Sequence, residues 1–159
     1  MLNRILFIGL GGAGQRHLRL FKKNLDGKNV DFIAYRSTNK TPLLNPDFSV
    51  NKKDTIDSFY GIKTYNNLDK ALALKPDLVV ISTPSSMHLE YAQLCAEQNI
   101  DVFVEKPLSN STHGLQKLKE TVDKNKVTLQ VGLQRRFHPH ISRINDIIKV
   151  TSGSTPEIA

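Results

Sequence analysis

Apolar residues along this chain fall into short runs, and between the runs apolar positions recur every three or four residues. The runs predict strands over 5–9, 30–35, 62–65, 78–82, 102–105 and 127–132, and the spacing between them predicts helices over 13–23, 68–74, 86–98 and 112–125. Leu78-Val79-Val80-Ile81-Ser82 is almost continuously apolar, as a parallel strand covered on both faces must be. Leu115, Leu118 and Val122 share one helical face, and Asn66 or Asn67 is placed to cap helix 68–74. Strands alternating with helices close right-handed βαβ units, so the expected fold is α/β with a doubly wound parallel sheet. Two stretches break the alternation. Residues 38–59 are polar, contain two prolines and have no sustained period, which predicts a loop or irregular insertion. Beyond Gly132, Arg135-Arg136-Phe137-His138-Pro139 reads as a basic turn, 142–150 as one more helix and 151–156 as loop.

The first strand runs into Gly9-Leu10-Gly11-Gly12-Ala13-Gly14, a G-x-G-x-x-G pattern set between a strand and an amphipathic helix. A phosphate needs backbone N–H donors that it can approach closely. A strand turning sharply into a helix N-terminus offers them where side chains are missing. In that reading Gly11 lets the backbone approach a pyrophosphate and Gly14 lets the helix pack tightly on the strand, which makes the sheet Rossmann-type.

Composition narrows the function classes. The 159 residues suffice for one compact domain, and 39% hydrophobic with 23% charged residues describe a soluble globular chain. Cys95 is the only cysteine, so neither an intramolecular disulfide nor a cysteine-rich zinc site is available. No apolar segment approaches the ~18 residues of a membrane span, and the N-terminal apolar run is too short for a signal peptide, so a cytoplasmic location is expected. The net charge of +7 raises the question of nucleic acid. Yet the basic pairs Lys22-Lys23, Lys52-Lys53 and Arg135-Arg136 are dispersed and aromatics are not interleaved with them, so a solvated basic surface suited to phosphorylated small ligands is favoured. His138-Pro139-His140 lacks acidic neighbours, and no metal site is expected.

In open parallel sheets ligands sit at the carboxyl ends of the strands. Behind the second strand stands Tyr35-Arg36-Ser37, with no acid to accept from an adenosine ribose 2′-hydroxyl. Arg36 beside Ser37 suits a 2′-phosphate, which favours NADP over NAD. Behind later strands come Ser82-Thr83-Pro84-Ser85-Ser86-Met87-His88 and Glu105-Lys106-Pro107.

With Gly9-x-Gly11-Gly12-x-Gly14 followed by Arg16-His17, then Thr83-Pro84-x-x-x-His88 and Glu105-Lys106-Pro107 in order, and Gly132-Leu133-Gln134-Arg135-Arg136-Phe137 after them, the sequence resembles the glucose–fructose oxidoreductase, inositol dehydrogenase and rhizopine-catabolism (Gfo/Idh/MocA) family over roughly residues 1 to 140. The resemblance implies a nicotinamide coenzyme held by Gly9, Gly11, Gly12, Ala13, Gly14, Arg36, Ser37, Ser82, Thr83, Pro84, His88, Glu105, Lys106, Gln134 and Arg135. It implies hydride transfer at a carbinol or carbonyl carbon of a sugar, sugar nucleotide or cyclitol. Lys106 would be catalytic, since an ammonium beside the reacting oxygen stabilises charge developing there. Glu105 would orient Lys106 by ion pairing, and Pro107 would fix the backbone behind it, often through a cis bond in this family. His88 would line the cofactor cleft, and His17 would be structural or shape it. The expected division is an NAD(P)-binding domain over 1–133, then 134–159 as a linker or the opening of the family's substrate domain, which is absent or truncated. That second domain carries substrate specificity and oligomerisation, so the isolated chain is expected to bind coenzyme without efficient turnover. A non-catalytic NAD(P)-binding regulator is the alternative.

Overall fold

In β1 (Arg4–Ile8) every residue from Ile5 to Ile8 is buried, because layers cover the strand on both sides. The structure, a computed structural model, describes residues 2–38 and 40–152. After β1 come α1 (Gly12–Asn24), β2 (Asp31–Tyr35), the two-residue strands β3 (Leu43–Leu44) and β4 (Val50–Asn51), and α2 (Ile56–Tyr60). The chain continues through β5 (Lys63–Tyr65), α3 (Leu68–Leu72), β6 (Leu78–Ile81), α4 (His88–Glu97), β7 (Asp101–Val104), α5 (Leu115–Asn125), β8 (Leu129–Val131) and α6 (Pro139–Ser152). Six strands form one parallel sheet in the order β5-β2-β1-β6-β7-β8, the doubly wound Rossmann-type arrangement expected. The order reverses direction between β1 and β6, and such a switch point opens a crevice at the carboxyl ends.

Alternation along the strands sends side chains to two cores. Leu6 and Ile8 join Ile33, Val79, Ile81, Val102 and Val104 against α3, α4 and α5. Ile5 and Phe7 join Ala34 and Val80 against Leu18 of α1 and the segment holding Leu43, Ile56 and Tyr60. Cys95 is wholly buried in the first core, and burial pushes its thiol up to about 12.

The principal departure from the sequence reading lies in 38–59. Within the stretch read as a loop or irregular insertion stands a short antiparallel hairpin, with Leu43 opposite Asn51 and Leu44 opposite Val50, followed by a short helix. Thr55 and Ser58 form a reciprocal capping box that starts α2, and Gly61 in the left-handed region ends it. Smaller departures have local causes. Residues 85–87 form a 3-10 turn before α4. Helix α5 begins only at Leu115, because Gly114 has φ +84°. Arg135 and Arg136 lie in a 3-10 turn over Gln134–Phe137. Helix α6 is longer than expected, with Pro139 in the first helical position that its missing N–H suits. It takes in Thr151 and Ser152, while the rest of the expected loop, 153–156, lies outside the described residues. Asn67 is the residue that caps α3, accepting from Lys70 N. No helix among the described residues is long and apolar enough to cross a membrane.

Leu18 and Leu20 separate packing from propensity within one helix, since Leu18 is 0% and Leu20 46% exposed. Leu18→Ala is expected to lower unfolding stability by about 2–5 kcal/mol and Leu20→Ala by about 0.5 kcal/mol, measured by urea denaturation.

Candidate active site

The bend after β1 is held by backbone bonds to both neighbouring strands. Gly9 N donates to Tyr35 O, and Ser82 N donates to Ile8 O. Ser82 Oγ donates to Gly9 O at 2.8 Å. Gly9 has φ +88°, and a Cβ there would lie 3.1 Å from Ser82 and Thr83 atoms. At Gly14 a Cβ would sit 2.5 Å from Ser82 Oγ and closer still to Gly9 O, so only glycine lets α1 lie this near the strand ends. At Gly11 the result is opposite, since a Cβ would meet nothing within 4 Å. The space above Gly11 is therefore open.

Helix α1 points its N-terminus into that opening. Gly11 caps it without any side-chain hydrogen bond, and its first turn contains no acidic residue. The first-turn amides and the positive end of the dipole are thus available to an anion. Two adjoining clefts share Ala13, Ser82 and Thr83. One, of about 390 Å³, is lined by the glycine bend with Arg36, Ser37, Pro84 and Tyr91. The other, of about 480 Å³, is lined by Arg16, Phe48, His88, Glu105, Lys106 and Gln134. A larger hollow of about 960 Å³ lies at the amino ends of β6 and β7, away from these groups and from the carboxyl ends where such sheets bind ligands.

The two clefts contain polar atoms that nothing among the described residues satisfies. Of the four buried side-chain atoms without a hydrogen-bond partner among the described residues, three belong to cleft residues: Arg16 Nε, Arg36 Nε and Thr83 Oγ1. Buried polar groups are ordinarily satisfied, so unpaired atoms on three residues of the two clefts set this region apart. No group of three His, Cys, Asp or Glu side chains able to hold a metal ion occurs among the described residues.

The Glu105-Lys106-Pro107 segment is tied to α1 in a way the sequence reading did not anticipate. His17 Nε2 donates to Glu105 Oε1 at 2.6 Å, and Lys106 N donates to Glu105 Oε2 at 3.1 Å. The ion-pair partner of Glu105 is therefore His17, not the Lys106 ammonium, because the ring of His17 reaches it from one helical turn past the glycines. Burial pushes the Glu105 carboxyl up. The hydrogen bond and charge of His17, the Lys106 amide and Arg16 more than reverse that, leaving it below its usual value. Lys106 is exposed at the cleft, and its bond to Pro107 is cis. His88 is buried between two carbonyls, Nδ1 lying 2.7 Å from Pro107 O and Nε2 2.8 Å from Thr83 O, so it fastens the Thr83 loop to the Lys106 loop.

Arg36 is also more engaged than a surface arginine. It is buried, its Nη2 donates to Thr41 O at 2.9 Å, and burial lowers its pKa while the Asp57 charge opposes that. Gly9, Gly11, Gly12, Ala13, Arg36, Ser37, Ser82, Thr83, Pro84, His88, Glu105, Lys106 and Gln134 all line the two clefts, with Gly14 packed beneath. Arg135 does not line them, and the neighbouring contact is made by Arg16, whose Nη2 donates to Gln134 Oε1 at 3.0 Å. The sequence reading also passed over Gln15. Fully buried, it donates from Nε2 to Leu10 O and Pro42 O and accepts from Leu44 N, joining the glycine bend to the β3–β4 hairpin. A glutamine directly behind the glycines, on the core side of the helix, was the available signal.

Comparison with known proteins agrees with this geometry. The family model described as oxidoreductase family, NAD-binding Rossmann fold (GFO_IDH_MocA), matches residues 3–133. The rhizopine catabolism protein MocA of Rhizobium meliloti is 33% identical over 147 residues, covering 92% of this chain and 42% of that protein. An inositol 2-dehydrogenase of Rhizobium meliloti is 25% identical over 150 residues, covering 93% of this chain and 41% of that protein. In fold, the chain is similar to the WlbA dehydrogenase from Bordetella pertussis, solved in complex with NADH and UDP-GlcNAcA, with TM-score 0.75 and 19% identity over 96% of this chain and 43% of that one. The chain thus spans less than half the length of these proteins.

Gly14→Ala drives a methyl group into backbone that cannot yield, so a stability loss of about 1–3 kcal/mol or more is expected in denaturant titration. Because the Glu105 pKa is lowered by folding, its contribution is fully present above its ordinary value near pH 4.5 and is lost as pH falls through the lowered value. His17→Ala should therefore move the acid-unfolding midpoint, followed by circular dichroism, toward higher pH.

Proposed function

The chain belongs to the Gfo/Idh/MocA oxidoreductase family, with an NAD-binding Rossmann fold, and from that premise we propose that it holds a nicotinamide dinucleotide across the Gly9–Gly14 bend for hydride transfer to or from a sugar-like substrate. The observation that carries the reading is the open space above Gly11 at the uncapped N-terminus of α1, in a cleft whose lining includes Arg36 and Thr83. Amides of Gly12 and Ala13 would hold the diphosphate, which needs donors and a positive dipole end together. Ser82, Thr83 and Pro84, with His88 fixing their loop, would bound the nicotinamide side.

When bound, the coenzyme supplies or accepts the hydride. The chain's own contribution is electrostatic and positional. Lys106 would face the reacting oxygen, stabilise the negative charge that gathers there and exchange its proton from Nζ. Glu105 would act one step back. Its carboxylate, held by His17, accepts from the Lys106 amide and so sets the backbone from which the ammonium projects. The substrate class of sugar, sugar nucleotide or cyclitol draws on the relatives, whose names specify inositol and rhizopine, and on a neighbour in fold that was solved with UDP-GlcNAcA. NADP is the favoured coenzyme. Among the described residues neither cleft contains an acid at the Arg36-Ser37 end, and Arg36 keeps Nε free of hydrogen bonds.

Calorimetric titration tests the reading. NADPH is expected to bind about tenfold more tightly than NADH, a difference of about 1.4 kcal/mol, and Arg36→Ala should remove most of it. Preference for NADH would take Arg36 out of the argument, and no uptake of either coenzyme would overturn the proposal itself.

A further inference from the structure

The β3–β4 hairpin places one aromatic ring where the coenzyme reading leaves a wall undefined. At its tip Asn45 N donates to Ser49 O, Phe48 N donates to Asn45 O, and the Asp47 carboxylate accepts from Ser49 N and Oγ. This turn puts Phe48 at φ +67°, in the left-handed region that bulky side chains rarely adopt. Its base is fixed. Leu43 is buried, Gln15 bonds Pro42 and Leu44, and Arg19 Nη1 donates to Leu44 O and Tyr60 OH.

The Phe48 ring is 57% exposed, and a single exposed aromatic needs no explanation on its own. Here the exposure is directional. The ring carbons lie 3.4 and 3.6 Å from where a Gly12 Cβ would stand, so the phenyl group rests over the start of α1. Phe48 lines the cleft that contains Lys106, Thr83 and Gln134, and does not line the one that contains Arg36 and Ser37. A strained backbone, an anchored base and a glycine beneath the ring together aim an apolar surface at one end of the trough.

We infer that Phe48 is a coenzyme-binding residue forming the apolar wall of the coenzyme's nicotinamide half, an inference that rests on the dinucleotide reading above. A planar ring there offers a flat face to the nicotinamide and removes water from the end where charge develops beside Lys106. The adenosine half, lying toward Arg36, does not touch it.

The test compares each reduced coenzyme with ADP-ribose or its 2′-phosphate, which lack only the nicotinamide. Phe48→Ala is expected to weaken binding of the preferred coenzyme about three- to tenfold while leaving the matching fragment within about twofold. Phe48→Tyr, which keeps the ring, should restore affinity. Unchanged coenzyme affinity in Phe48→Ala would overturn the inference, as would equal or greater weakening of the fragment, since that marks a general loosening of the hairpin. Circular dichroism establishes that the exposed-site variant keeps its fold. If the wild-type chain takes up neither coenzyme nor fragment, the dinucleotide reading falls and this inference with it. If it takes up both and the variant behaves as wild type, Phe48 alone is removed.

Discussion

Helix α1 reaches the space above the strand ends only because Gly14 lets its backbone lie against Gly9 and Ser82. The contact ties together the carboxyl ends of β2, β1 and β6 through the bonds Gly9 N to Tyr35 O, Ser82 N to Ile8 O and Ser82 Oγ to Gly9 O. Everything at the cleft inherits its position from that junction. The dipole of α1 is aimed by it, Gly11 is left open by it, and His17 is carried one turn along the same helix to meet Glu105. Since the sheet switches direction between β1 and β6, the junction also sits where the two halves of the fold diverge.

The cleft has an uneven distribution of charge. Among the described residues Glu105 is the only acid lining either part, and it is held by His17 and the Lys106 amide. Arg16, Arg36 and Lys106 then present an electropositive trough with a helix N-terminus at its centre. Part of the excess basic charge of the chain is thus gathered at this cleft. His88 and the pair Arg16–Gln134 add cross-links between loops that follow different strands, so the trough is braced from several sides.

What was legible in the sequence was whatever local pattern decides. The continuous apolar runs are strands because burial on both faces demands such runs, and the glycine spacing marks a bend because side chains are excluded there. The β3–β4 hairpin was not legible, since two-residue strands have no period to detect and their order comes from Gln15, 29 residues before Leu44. The partner of Glu105 was misjudged for a similar reason. Lys106 is adjacent in sequence, while His17 is 88 residues away and adjacent only in the fold. Arg36 could be seen as a cation behind a strand, but its burial and its bond to Thr41 depend on how the following segment folds back.

Gln15 links the glycine bend to the hairpin. Its single amide group serves the glycine bend through Leu10 and the hairpin through Pro42 and Leu44. The base of the hairpin is consequently clamped to the most constrained part of the chain, whereas residues 45–49 hang beyond the clamp and bond chiefly among themselves. Such an arrangement divides the mechanical work between the two parts: the clamp fixes where the hairpin stands, and the geometry of the tip is set by its own bonds.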